Sequence, residues 1–272
     1  CVVESGFENY NPDFDKFKHV ETDGLSIKSN SRERMLGGCG QTWGGLLTNF
    51  DKCDLFDRGD KYPALGIDQD EIKLFLDKFG KFFQIPKISN FNLSKYPNSE
   101  FDLGYPFEKK IFLKQKNVFK FGDRLKHIFD RSGVDLILGW TVSNLKWEGS
   151  ICKGVTIKNI KGEKKNLSAK LVILCCGTIE NIRLLKFSQL KGEIPSNLPI
   201  GKYFKNHPKG VVGKIKFHKP ISIEDPIIKL PHKKDFNFTG YIGLRFNDDY
   251  ILKNKLSNVY LRILLRENSF IN

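Results

Sequence analysis

The sequence holds one methionine, Met35, and two alanines, Ala64 and Ala169, in 272 residues. Beside abundant Lys, Asn, Ile and Phe, that scarcity reads as AT-rich codon usage and carries no functional message. No apolar run reaches the ~18 residues that a membrane-spanning helix needs, so no transmembrane segment is expected. Among the six cysteines, Cys1, Cys39, Cys53, Cys152, Cys175 and Cys176, none stands two residues from another, and no histidine completes a zinc spacing. A metal centre is therefore not expected. A Gly-x-Gly-x-x-Gly run is missing too. Acidic residues are too few to balance 45 Lys and Arg, and the formal net charge is +14. The lysines are dispersed and accompany no nucleic-acid motif, which leaves only weak attraction to polyanions and no specific nucleic-acid partner.

With 40% hydrophobic and 28% charged residues, the chain can bury one large core or two smaller ones. Three stretches carry chemistry. Cys1-Val2-Val3-Glu4-Ser5-Gly6 reads as an apolar strand ending in a carboxylate and a turn, where nucleotide-binding folds place the acid that takes ribose hydroxyls. Such a carboxylate can accept both hydroxyl hydrogens, and burial without partners would be costly. The phosphate-binding glycine loop of those folds precedes the acid by about 20 residues, a distance that this opening has no room for. The second stretch, Gly37-Gly38-Cys39-Gly40-Gln41-Thr42-Trp43-Gly44-Gly45, lets main-chain N–H groups approach a flat or anionic ligand and cradle phosphate oxygens.

The third stretch, Leu171 to Cys176, reads as a buried strand ending at Gly177. A helix follows, with Thr178 as its cap and Ile179, Ile182, Leu184, Leu185 and Phe187 on one packed face. Its free amides and positive dipole end suit a phosphate or ribose. Glu180 and Asn181 open this helix, Glu180 as a capping group and Asn181 near the ligand. Cys175 and Cys176 alternate in this strand as small buried residues.

These residues resemble the glucose-methanol-choline (GMC) family of FAD-dependent oxidoreductases, within it the sugar-oxidising, pyranose oxidase-like branch. Val2 to Gly6 is similar to the family's second-strand acid, and Gly37 to Gly45 to its flavin-contacting Gly-Gly-x-x-x-x-Trp loop. Gly177-Thr178-Ile179-Glu180-Asn181-Ile182-Arg183-Leu184-Leu185 resembles the second family signature, and Gly201-Lys202-Tyr203-Phe204-Lys205-Asn206-His207-Pro208 the Gly-Arg-x-Phe-x-x-His-Pro element. The resemblance implies cofactor contacts from Glu4, Gly37, Gly38, Gln41, Thr42, Trp43, Gly44, Val142, Gly177 and Asn181, with His207 on the substrate side. Val142 enters because Thr141 to Leu145 is similar to the family strand whose backbone meets the adenine edge. Where the branch has a flavin-linked histidine before the tryptophan, this chain has Thr42, so FAD is expected without a covalent bond. The family's catalytic histidine, with its His or Asn partner, is expected beyond residue 272, in a chain truncated at both ends and inactive by itself.

The expected architecture is α/β. An incomplete Rossmann-like FAD-binding domain occupies residues 1–50 and 110–205, a flavin-covering insertion 51–109, and part of an antiparallel substrate domain 206–272. Helices are predicted over Asp68 to Phe83 and Val118 to Ser132, the second stopped by Gly133. Strands are predicted over Val134 to Leu138, Thr141 to Glu148, Gly154 to Ile160, Val211 to Phe217, Phe238 to Phe246 and Val259 to Leu265. By resemblance the whole enzyme oxidises an alcohol carbon of a small sugar or polyol, transferring hydride to flavin N5, with an unspecified electron acceptor. Two other classes stay open: an inert flavin- or nucleotide-binding remnant, and a nicotinamide-dependent Rossmann enzyme. Cysteine usage without a disulfide framework fits a reducing, cytoplasmic setting.

Overall fold

The computed structural model describes residues 1–24, 27–28, 31–59, 63–84, 86–204, 209–230 and 238–265. In chain order they form β1 (Val2–Glu4), β2 (Leu46–Leu47), α1 (Lys52–Leu55), α2 (Gln69–Phe83), β3 (Phe107–Gln115), α3 (Phe121–Ser132), β4 (Leu136–Leu138), β5 (Trp140–Glu148), β6 (Ile151–Asn159), β7 (Lys164–Ser168), α4 (Thr178–Leu190), β8 (Phe238–Phe246), α5 (Asp248–Asn254) and β9 (Tyr260–Leu261). They divide into two compact units, Cys1–Trp43 with Lys120–Phe204, and Gly44–Phe119 with Lys205–Asn272. Residues 44–50 and 110–119, expected in the cofactor domain, thus pack with the second unit.

In the first unit β1 pairs in parallel with β4, Glu4 lying opposite Leu138. The β5, β6 and β7 strands form a separate antiparallel meander. Gly149 takes positive φ at the β5–β6 turn, and the Asn159 side chain closes the next turn by accepting from the N–H groups of Lys161 and Glu163. Leu145, Val155, Ile157 and Leu184 make the core, with Val3, Ile137, Val172 and Leu174 packed against it. Chain reversal after α3 is where the pattern placed it, at Gly133, φ 65°.

Several expectations for this unit fail. Leu171 to Cys176 forms no strand and pairs with none among the described residues. Val172 and Leu174 reach the core, while Leu171 and Ile173 are each 75% exposed and Cys175 and Cys176 lie at the surface. Apolar content alone suggested burial on both faces; alternation along an unpaired segment delivers only one. The α4 face is also narrower than predicted, with Leu184 and Ser188 buried and Phe187 exposed. Its cap is Gly177 and not Thr178, which is the first helical residue.

The second unit is built on the antiparallel sheet β2-β3-β8-β9. The β3 and β8 strands pair over their whole length, from Phe107 opposite Phe246 to Gln115 opposite Phe238. Alternation gives each face its character. Ile111, Leu113, Ile242 and Leu244 turn to a core shared with Ile227, Leu230 and Ile263. On the other face Phe112 stacks on Tyr241 at 5.1 Å, and Glu108 lies opposite Arg245. The guanidinium of Arg245 is paired with Asp51 and Glu108, both at 2.9 Å, and with Asp248. Asp51 also accepts from Lys110, Tyr260 and Asn258. Burial, with Asp51 and Asp54 close by, pushes the Tyr260 hydroxyl above its ordinary value.

Here too the boundaries shift. Phe238 to Phe246 forms β8 as predicted, but Val259 to Leu265 contributes only Tyr260–Leu261. Val211 to Phe217 makes no strand, and Val212 is 85% exposed. The predicted helix at Asp68 forms with Asp68 as its cap, accepting from the N–H groups of Asp70 and Glu71. Phe75 and Phe79, expected on its buried face, are exposed. No helix among the described residues is long and apolar enough to cross a membrane.

Candidate cofactor site

Glu4 closes β1 with a tight turn. Its Oε1 accepts from the Gly6 N–H at 2.7 Å and the Ser5 hydroxyl at 3.2 Å. Both of these bonds fall on Oε1 and neither on Oε2. Gly6 donates nothing in side-chain bulk: a β-carbon there would stand 1.9 Å from the Arg34 carbonyl oxygen. That close approach lets Phe7 bridge Met35 in parallel and accept the Leu36 N–H at 2.8 Å. Gly139 closes the other flank by donating to the Gly6 carbonyl at 2.8 Å. Burial pushes the Glu4 carboxyl above the usual carboxylate range, against the Gly6 N–H, the Ser5 hydroxyl and the Arg34 charge, which pull it down.

The glycine loop starts one residue after this strap, so Glu4 and the loop are joined through residues 34–36. Gly37 and Gly38 both adopt positive φ, 87° and 50°. The amides of Gly38, Gly40, Gln41, Thr42 and Trp43 donate to carbonyls of Met35 to Cys39. Those five amides, which the sequence pattern offered to phosphate, are held inside the loop. Packing explains Gly37 and Gly40. A β-carbon on Gly37 would meet the Gly122 nitrogen at 2.4 Å, and one on Gly40 the Phe121 ring at 2.5 Å.

Gln41 fastens the loop to the start of α3: its Oε1 accepts from the Gly122 N–H at 2.7 Å, and its Nε2 donates to Asp123 at 2.8 Å. Trp43 packs its ring 5.9 Å from that of Phe121. Thr42 is exposed and its hydroxyl donates weakly to the Cys39 carbonyl at 3.4 Å. Gly44 falls in the second unit, and a β-carbon on it would meet nothing within 4 Å. The exposed Cys39 thiol donates to the Ser31 carbonyl.

At the start of α4, Gly177 has φ 83° and ψ 160°, and no side chain caps the first turn. A β-carbon on Gly177 would meet nothing within 4 Å; the glycine is required by its backbone conformation alone. The first-turn amides keep their donors unmatched by a side-chain cap. Asn181 braces the turn, accepting from the Cys176 N–H at 3.0 Å and donating to the Leu174 carbonyl at 3.1 Å. Glu180 does not cap the helix. It pairs with Arg32 at 3.5 Å, Arg34 at 3.3 Å and Arg183 at 2.7 Å.

This arginine cluster is what sequence reasoning missed. Arg183 was visible three residues after Glu180, a helical pairing distance; Arg32 and Arg34 lie nearly 150 positions away, and only the fold brings them in. Arg183 also donates to the Val142 carbonyl at 3.2 Å, beside a register shift in the β5–β6 pairing. His207 lies outside the described residues.

The structure thus gathers Glu4, the Gly37–Trp43 loop, Val142, Gly177 and Asn181 in one unit. Residues 121–209 match the family model for GMC oxidoreductases. The matched span opens on α3 and takes in β4 to β7 and α4, so it contains Val142, Gly177 and Asn181 but not Glu4 or Trp43. No curated protein matches the chain. Over the matched span the chain is similar to a family of FAD-dependent oxidoreductases acting on small molecules, and the mixed helix-and-strand unit that carries the span accords with it.

Proposed function

We propose that the first unit binds the adenine dinucleotide of FAD without a covalent link, as part of an enzyme that oxidises an alcohol carbon of a sugar or polyol. The observation that carries this reading is the conjunction of a strand-end carboxylate, Glu4, whose Gly6 and Ser5 bonds fall on Oε1 and not on Oε2, and the GMC match over residues 121–209. The donor set suits the group. Glu4 would accept from the ribose hydroxyls, the uncapped first turn of α4 would donate to an anionic oxygen, and the Val142 peptide would meet the adenine edge. Trp43 and the loop around it would form the surface on the flavin side, where Thr42 offers no atom for the histidine-type bond. Gln41 and Asn181 serve by bracing backbone, each with both ends of its amide already engaged.

Bound FAD supplies the hydride acceptor; the protein contributes position and electrostatics. Titrating the purified protein with FAD and following flavin absorbance near ~450 nm tests the binding half. Saturable uptake that Glu4→Gln weakens supports it, and bound NAD in place of FAD establishes the nicotinamide alternative. Bleaching by sugars tests the chemistry; uptake with no bleaching by any alcohol leaves the binding remnant as the correct reading.

A further inference from the structure

Arg34 stands beside the Glu4 turn without pairing to it. Its main chain touches Gly6, two residues from Glu4, yet the guanidinium is drawn off to Glu180 at 3.3 Å, to the Phe17 carbonyl at 3.1 Å and over the Phe17 ring at 5.6 Å. Among the described residues no ion pair reaches Glu4. Two half-buried opposite charges on adjoining backbone would ordinarily close on each other, since little water screens them. A bidentate arginine would then occupy the carboxylate oxygens that a ribose needs.

We propose that Glu180 is a positioning residue for Glu4: by holding Arg34, it keeps that guanidinium off the Glu4 carboxylate and leaves Oε2 open to the vicinal hydroxyls of a ribose. The proposal rests on the ribose reading of Glu4 given above. Arg32 and Arg183 complete the arrangement, because together they fix the Glu180 carboxylate at the start of α4. Among the described residues the Cys176 thiol also lies within electrostatic reach of both Glu4 and Glu180. Burial holds the Arg34 value below its ordinary range, and Glu180 is the strongest influence opposing it, in keeping with Glu180 as the counter-ion of Arg34.

The test compares wild type, Glu180→Gln, Arg34→Met and the double variant in the full chain. The ionisation of Glu4 is followed by carboxyl carbon NMR, and affinities are measured for adenosine and for 2′,3′-dideoxyadenosine, two uncharged probes that differ only in the hydroxyls. Wild type is expected to favour adenosine by about tenfold or more. Glu180→Gln is expected to lower the Glu4 ionisation midpoint and bring the adenosine preference close to one, and adding Arg34→Met is expected to restore both. A Glu4 midpoint unmoved by Glu180→Gln overturns the proposal, as does failure of Arg34→Met to restore it, since loss of structure alone is not repaired by a second deletion. A wild-type ratio near one overturns the ribose reading itself, whereas an unchanged ratio in Glu180→Gln beside a clear wild-type preference overturns only the role of Glu180.

Discussion

Gly6 and Arg34 approach so closely that a β-carbon on the glycine would lie 1.9 Å from the arginine carbonyl oxygen. The obstacle is backbone, which cannot swing aside as a side chain can. Gly6→Ala must therefore separate the Glu4 turn from the strap that leads into the glycine loop. A destabilisation of about 2–3 kcal/mol is expected, as for overpacking against a rigid neighbour. All three tryptophans, Trp43, Trp140 and Trp147, belong to the first unit, so denaturant unfolding followed by tryptophan fluorescence reads the effect.

Glu4→Gln is expected to stabilise the protein while weakening FAD uptake. Burial raises the Glu4 ionisation above its ordinary value, so the folded state disfavours the charged form. A raised carboxyl contributes stability that is full below the unfolded value, about 4.3 for Glu, and lost as pH rises through the folded value. Glutamine keeps an acceptor for the Gly6 N–H without the charge. The variant should accordingly show a higher denaturation midpoint than wild type at pH 7, with the difference shrinking on acidification below the usual carboxylate range. An equal midpoint at both ends of that range would contradict the burial argument.

At Gly177 the space is open but the backbone is not permissive. With φ 83° and ψ 160° it occupies a region essentially restricted to glycine, and Gly177→Ala should cost about 1–3 kcal/mol. Because nothing stands near the new methyl, relaxation takes place in the turn itself. The Asn181 hydrogen bonds to Leu174 and Cys176 should loosen together, visible as faster amide exchange at Cys176 with little change at Ile157 in the neighbouring core.

Arg245 is 2% exposed and meets Asp51, Glu108 and Asp248. Arg245→Met removes the cation between the buried Asp51 carboxylate and the more exposed Glu108 and Asp248, a loss of about 3 kcal/mol, the lower end of the range for breaking a buried pair. Amide exchange along β3 and β8 should rise accordingly. Asp248→Asn added to Arg245→Met should recover part of the loss by removing a charge whose ion pair was with Arg245. Burial opposes the ionised form of Asp248, but the Arg245 hydrogen bond and charge hold its carboxyl below the usual range. Its stabilisation is present above about 3.9 and disappears as pH falls through the folded value.

Local chemistry was legible wherever a residue's own neighbours in sequence decide the outcome. Asp68 before a 3.6-residue apolar pattern capped α2, Gly133 ended α3, the glycine and polar turns spaced β5 and β6, and β-rich Phe238 to Phe246 became β8. The strand-end position of Glu4 belongs to this class, since it follows from apolar residues running into a polar turn. What only the tertiary structure decided is which groups meet across long stretches of chain. The apolar run Leu171 to Cys176 holds the same residues whether or not strands lie on either side of it, so composition could not report that it pairs with none among the described residues. Likewise Glu180 reads as a helix cap until the fold delivers Arg32 and Arg34 to it, and Asp51 reads as a loop acid until β8 presents Arg245. Hydrophobic and backbone preferences act over a few residues and are written locally; charge acts through space, and its partners exist only once the chain is folded.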